Sequence, residues 1–170
     1  MSVAGRTTEL CSFERFFLDE HPKLVALGLA WTGNPDTATE LAQEALVRAY
    51  RSWDRVAHLD IPGAWVRRVM INLLIDARRS ERRAVAARPR LSTRSDLIEG
   101  DRHDVDDRWW SAVRALPDRE RAAVTLHYLE DCSIAEVAHI LEIAPGTVKA
   151  SLSHARQKLR STLSPTEDEL

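Results

Sequence analysis

Between Pro145 and Leu163 the chain carries Lys149, Arg156, Lys158 and Arg160 and not one acidic residue. Thr147, Ser151, Ser153 and His154 are interleaved with them, so this stretch offers cations, hydroxyls and an imidazole. Such groups suit nucleic acid. Ammonium and guanidinium groups neutralise phosphates, while short polar side chains and lysine bond to base edges in the major groove. Helical spacing of Val148, Leu152, Ala155, Leu159 and Leu163 defines one buried stripe. It leaves Thr147, Lys149, Ser151, Ser153, His154, Arg156 and Lys158 facing outward.

The elements that would position this face are legible just upstream. Ser133 with Glu136 three residues later is a capping box, and the helix it opens buries Ile134, Val137, Ala138 and Leu141. Pro145 behind Ala144 supplies the first turn of the next helix. A helix-turn-helix results, although two amphipathic helices with a solvated charged face also build an ordinary bundle. The turn carries one departure. Glu142 occupies the position where such units often have glycine, and a left-handed backbone there costs on the order of 1 kcal/mol.

A second cationic stretch precedes it. From Arg67 to Arg94 there are nine arginines against Asp76 and Glu81, whereas Asp96 to Asp107 holds six acids against Arg102. The whole chain of 170 residues has a formal net charge of −2, so nucleic-acid affinity must come from this uneven distribution. Enzyme and metal readings find no support. The histidines His21, His58, His103, His127, His139 and His154 form no HExxH, Cys11 and Cys132 form no CxxC, and no GxxxxGK, GxGxxG or GxSxG occurs. DRHDVDD lacks the glycine and closing glutamate of a calcium loop. We therefore expect no catalytic residue, no metal and no cofactor. Without a spanning apolar run or a signal peptide, the chain is expected to be cytoplasmic and not membrane-bound.

Helical periodicity recurs and strand signals are nearly absent, so the fold is predicted to be all-α. One helical stretch covers Ser12 to Thr32, with a break or restart at Pro22. Another opens at Pro35 and Asp36 and buries Leu41, Ala42, Ala45, Leu46, Ala49, Tyr50 and Trp53. A loop from Asp54 to Ile61 leads to a long helix from Pro62, with Trp65, Val66, Val69, Met70, Leu73 and Leu74 inward. The polar, Pro- and Gly-containing segment after Ala84 reads as a flexible linker. Beyond it come a short helix with Trp109, Trp110, Val113 and Leu116, a turn at Pro117-Asp118, and a helix over Ala122 to Tyr128. Two small helical domains are expected, at 1–84 and 106–163, joined by a linker at 85–105 and followed by an acidic tail at 164–170.

In this order and spacing, QEALVRAY (43–50), AWVRR (64–68), NLLIDARR (72–79) and LPDRER (116–121) resemble the sigma factors of bacterial RNA polymerase. The likeness is to the small extracytoplasmic-function group, which keeps region 2 and region 4. It implies binding to core RNA polymerase, its beta and beta-prime subunits, through Glu40, Gln43, Glu44, Arg48 and Arg51. It further implies minus-ten DNA contacts by Arg67, Arg68, Asn72, Arg78 and Arg79, and minus-thirty-five contacts by the outward face of the last helix. Promoter DNA would be a partner, and family members are often held by an anti-sigma factor. The rival reading is a stand-alone helix-turn-helix regulator whose N-terminal half dimerises; the arginine-rich helix from Pro62 is what a dimerisation module would not need.

Overall fold

The computed structural model describes residues 3–87 and 104–163, with side chains over 12–87 and 107–163. All regular elements among the described residues are helical. They are α1 (Val3–Thr32), α2 (Pro35–Arg51), the single turn α3 (Trp53–Val56), α4 (Pro62–Ala87), α5 (Asp104–Ala115), α6 (Asp118–Val124), a π-helical turn (Thr125–Leu129), α7 (Ile134–Leu141) and α8 (Pro145–Leu163).

Pro22 does not interrupt α1, contrary to the expected break. The proline lies on the exposed side, where a carbonyl that loses its helical partner can be hydrated, while Leu24, Leu27 and Trp31 anchor the opposite face. The helix stops at Gly33, whose φ of 67° a side chain would oppose, and the Gly33 N–H returns to the Leu29 carbonyl at 2.8 Å. Asn34 then starts α2, its Oδ1 accepting from the backbone N–H groups of Asp36 and Thr37 at 2.9 and 3.0 Å. Alanines 38, 42, 45 and 49 make a thin inner face on α2, against which α1 packs closely. Val66, Met70, Ile71 and Leu74 of α4 complete this first core.

Two sequence expectations fail nearby. Tyr50 is exposed rather than buried, its ring lying on Phe13 with centroids 5.0 Å apart. The loop expected from Asp54 begins as the helical turn α3, because Trp53 and Val56 three residues apart both find a buried side. A third concerns the linker: α4 continues through Ala87, so residues 85–87 are helical. Residues 88–103 and 164–170, with Arg88, Arg90, Arg94, Asp96, Glu99, Asp101 and the acidic tail, lie outside the described residues.

The second core joins Val113 and Leu116 of α5, Ala123 and Val124 of α6, Leu126 of the π turn, Val137 and Ile140 of α7, and Val148, Leu152, Ala155 and Leu159 of α8. The helix expected over Ala122 to Tyr128 is thus α6 continued by π geometry, with the Glu130 and Cys132 N–H groups closing on the carbonyls of Thr125 and Leu126. The cores abut and share residues. Ala64 of α4 is packed in the second, and Ala122 of α6 in the first.

Candidate nucleic-acid interface

The capping box forms as expected, with Ser133 N–H donating to Glu136 Oε2 at 2.7 Å and Glu136 N–H to Ser133 Oγ at 3.2 Å. These bonds hold the Glu136 carboxyl below its ordinary value. With α7 fixed, α8 presents Lys149, Ser153, His154 and Arg156 to solvent. Thr147 is half-buried. Lys158 reaches both carboxylate oxygens of Glu120 at 2.9 Å, so its ammonium is partnered within the chain. Ser151 is buried and leaves the outward set. It follows Val148 by three residues and precedes Ala155 by four, which places it inside the buried stripe, and its small side chain fits there.

The cationic residues of α4 divide differently. Asn72 and Arg79 are exposed, whereas Arg67, Arg68 and Arg78 turn toward the C-terminal helices. Arg67 bridges Glu20 of α1 at 2.9 Å and Glu130, just past the π turn, at 3.0 Å. Gly63 makes room for that bridge, since a Cβ there would stand 2.6 Å from Arg67 Nη1. Arg68 donates from Nε to the Ile140 carbonyl and from Nη2 to the His139 carbonyl, both at 2.8 Å, and pairs with Glu142. Arg78 donates to the Leu116 carbonyl at 3.1 Å and pairs with Asp118.

Glu142 does adopt the left-handed conformation, at φ 53° and ψ 43°. The penalty of about 1 kcal/mol that glycine would avoid is set against an ion pair that glycine could not make. Sequence reasoning marks the position and misses its partner.

Arg121, the last residue of LPDRER, lies at the seam where the helices of the two cores meet. It donates to the carbonyls of Arg114 and Leu116 and stacks on the Trp31 ring at 5.0 Å. Burial, then the neighbouring Arg78, lowers its pKa to about 10, which still leaves it charged at neutral pH. Trp31 Nε1 donates to Thr125 Oγ1 at 3.0 Å, and Thr125 in turn bonds the Arg121 carbonyl at 2.9 Å. Desolvation raises the Cys132 thiol, so its location at the seam does not make it a ready nucleophile. No spacing rule pairs Trp31 with residues so distant in sequence as Arg121 and Thr125. Among the described residues no group of His, Cys, Asp and Glu could hold a metal ion.

On α2, Glu40, Gln43 and Arg51 are exposed, and Arg48 Nε donates to Glu44 Oε1 at 2.8 Å on the same side. Val47 and Tyr50, 41% and 52% exposed, add apolar surface to this polar face. Such a mixture is what protein interfaces use.

Two family models match the chain, Sigma-70 region 2 over residues 16–84 and Sigma-70, region 4 over 106–159. The ECF RNA polymerase sigma factor SigL of Mycobacterium tuberculosis is 30% identical over 167 residues, covering 95% of this chain and 94% of that protein. The RNA polymerase sigma-E factor of Streptomyces avermitilis is 29% identical over 155 residues, with coverage of 91% and 87%. Among solved structures, the sigma factor RpoE in complex with the anti-sigma factor NepR from Bartonella quintana superposes with a TM-score of 0.71 at 24% identity, over 89% of this chain and 96% of that one. CnrH in complex with the cytosolic domain of CnrY gives 0.63 at 20% identity, over 91% and 88%.

Proposed function

This chain belongs to the sigma-70 family of RNA polymerase sigma factors, in its extracytoplasmic-function group, and we propose how its surfaces divide the work of directing promoter recognition and transcription initiation. The domain spanning 1–84 binds core polymerase through the α2 face of Glu40, Gln43, Glu44, Arg48 and Arg51, with Val47 and Tyr50 adding apolar contact. Its α4, with Arg67, Arg68, Asn72, Arg78 and Arg79, tracks the strand that separates at the minus-ten element. A melted strand needs cations along its phosphates because its backbone stays charged when its bases unstack. The domain spanning 106–163 places α8 in the major groove at the minus-thirty-five element, using Thr147, Lys149, Ser153, His154, Arg156 and Lys158.

The observation that carries this reading is the occurrence of region 2 and region 4 in one chain, with an α8 face whose charged groups are all cationic. It outweighs the rival of a stand-alone dimeric regulator, which has no use for region 2. The protein works without catalysis of its own and in the cytoplasm, where polymerase acts; no described helix is long and apolar enough to cross a membrane. A protein of the anti-sigma class, such as the one solved with RpoE, is a further partner of this reading.

Gln43→Ala combined with Arg48→Glu tests the α2 assignment. Core polymerase affinity falls about tenfold while helicity is kept, because exposed substitutions cost little stability. An unchanged affinity in a titration takes α2 out of the interface.

A further inference from the structure

A cleft of about 270 Å³, open to solvent along one side, lies where α4 faces α6 and the end of α7. One face of α4 lines it with Ile71, Asn72, Ile75 and Arg79, at helical spacing. Arg119 of α6 stands on another side, and Leu141 and Ile143 close the end. Its lining is largely apolar: Ile71 is buried, while Ile75, Leu141 and Ile143 are half-buried. The charges at its rim do not cancel. Glu142 is paired with Arg68 and Asp118 with Arg78, so both acids beside the cleft are already spent within the chain. Arg79 and Arg119 are exposed, and neither has an acidic partner among the described residues.

Apolar walls with a few converging polar groups are what hold a small organic ligand. Volume sets the size of its body, since a dry cavity of about 150 Å³ takes benzene and this cleft has room for one ring with a short chain. Charge sets its head group. A guanidinium takes a carboxylate through two parallel hydrogen bonds, whereas a polyanion would also meet the carboxylates of Glu142 and Asp118. We propose that the cleft binds a small amphipathic monocarboxylate, its apolar body against Ile71, Ile75, Leu141 and Ile143 and its carboxylate at Arg79 and Arg119. The inference stands apart from how α4 meets DNA, and it gives the chain a ligand of a class different from polymerase and promoter. A ligand that binds only the folded chain also stabilises it by mass action.

Phenylpropionate is the probe, titrated into the full-length protein with isoleucine and leucine methyl signals followed by NMR. The methyls of Ile75, Leu141 and Ile143 should move and saturate with a Kd below about 1 mM, and the Tm should rise with the titration. Phenylpropanol keeps the ring and lacks the charge, so it should bind about tenfold more weakly, the worth of one charge-assisted pair. Acetate, the head group without the body, should leave the methyl signals in place. Arg79→Ala with Arg119→Ala, both at exposed positions that cost little stability, should bring phenylpropionate down to the affinity of the alcohol while leaving the alcohol unaffected. Signals that move linearly without saturating overturn the site and leave the cleft to a macromolecular partner. Equal affinities for carboxylate and alcohol, undiminished carboxylate binding in the double variant, or a response to acetate as strong as to phenylpropionate overturn it as well.

Discussion

The inner face of α4 and the outer face of α8 are both rich in cations, yet they live in different surroundings. On α4 three arginines are largely shielded from solvent and pair with acids and carbonyls 36 to 74 residues distant in sequence or, for Glu20, on α1. On α8, Lys149 and Arg156 face solvent, while Lys158 reaches across to an acidic partner, Glu120. The difference teaches that a run of arginines reports affinity for anions without saying whose. At Lys149 and Arg156 of α8 the anion is left to be supplied from outside, whereas at Arg67, Arg68 and Arg78 of α4, as at Lys158, the chain itself supplies it.

Stability measurements should separate the two faces most widely. Arg67→Ala leaves the carboxylates of Glu20 and Glu130 facing each other with little solvent access and should cost about 3 kcal/mol, the low end for breaking a buried pair, because Lys23 also reaches Glu20 at 3.0 Å. Arg156→Ala should change stability by no more than about 0.5 kcal/mol. Equal shifts in the denaturant midpoints of the two variants would erase the contrast.

Within α8 the next distinction is between reading and positioning. Lys149→Ala and His154→Ala should alter the preferred bases, by about 1 to 3 kcal/mol for a good bidentate contact and less for a single bond. Arg156→Ala should instead weaken all sequences alike and reduce the salt slope by about 0.9, the share of one phosphate that is no longer neutralised. Binding-site selection with the full-length protein tests this, and an unaltered preference in the first two variants would make α8 a positioning element only.

The smallest effect belongs to the cap that supports the α8 face. Ser133→Ala should cost about 1 kcal/mol. The Glu136 carboxyl is held below its ordinary 4.5, so its contribution is complete above that pH and is lost as pH falls through the depressed folded value. The stability difference between the parent and Ser133→Ala should therefore shrink as pH falls below 4.5 in acid unfolding curves. Parallel curves throughout would contradict the box.

Local chemistry is readable from the sequence because its partners are near in the chain. The capping box, the Asn34-Pro35 start of α2, Pro62, Pro145 and the strained Glu142 all depend on neighbours within four residues. What escapes is long-range. Trp31 with Thr125, Arg67 with Glu130 and Arg68 with the end of α7 are set by how two amphipathic faces meet, which periodicity leaves open. Ser151 escapes for a related reason: its hydroxyl argues for the outer face, while its angular position between Val148 and Ala155 puts it inside. Tyr50 and Pro22 depart the other way, since an aromatic ring and a helix breaker are both tolerated on an exposed face.

Run-off transcription from sheared chromosomal DNA shows whether this chain turns core polymerase into a promoter-specific enzyme. Purified chain added to core polymerase should yield a small set of discrete transcripts whose start sites share two upstream elements, and Gln43→Ala with Arg48→Glu should raise the amount of chain needed to produce them about tenfold. Transcripts no different from those of core polymerase alone, with the chain eluting separately as a DNA-binding dimer, would contradict it.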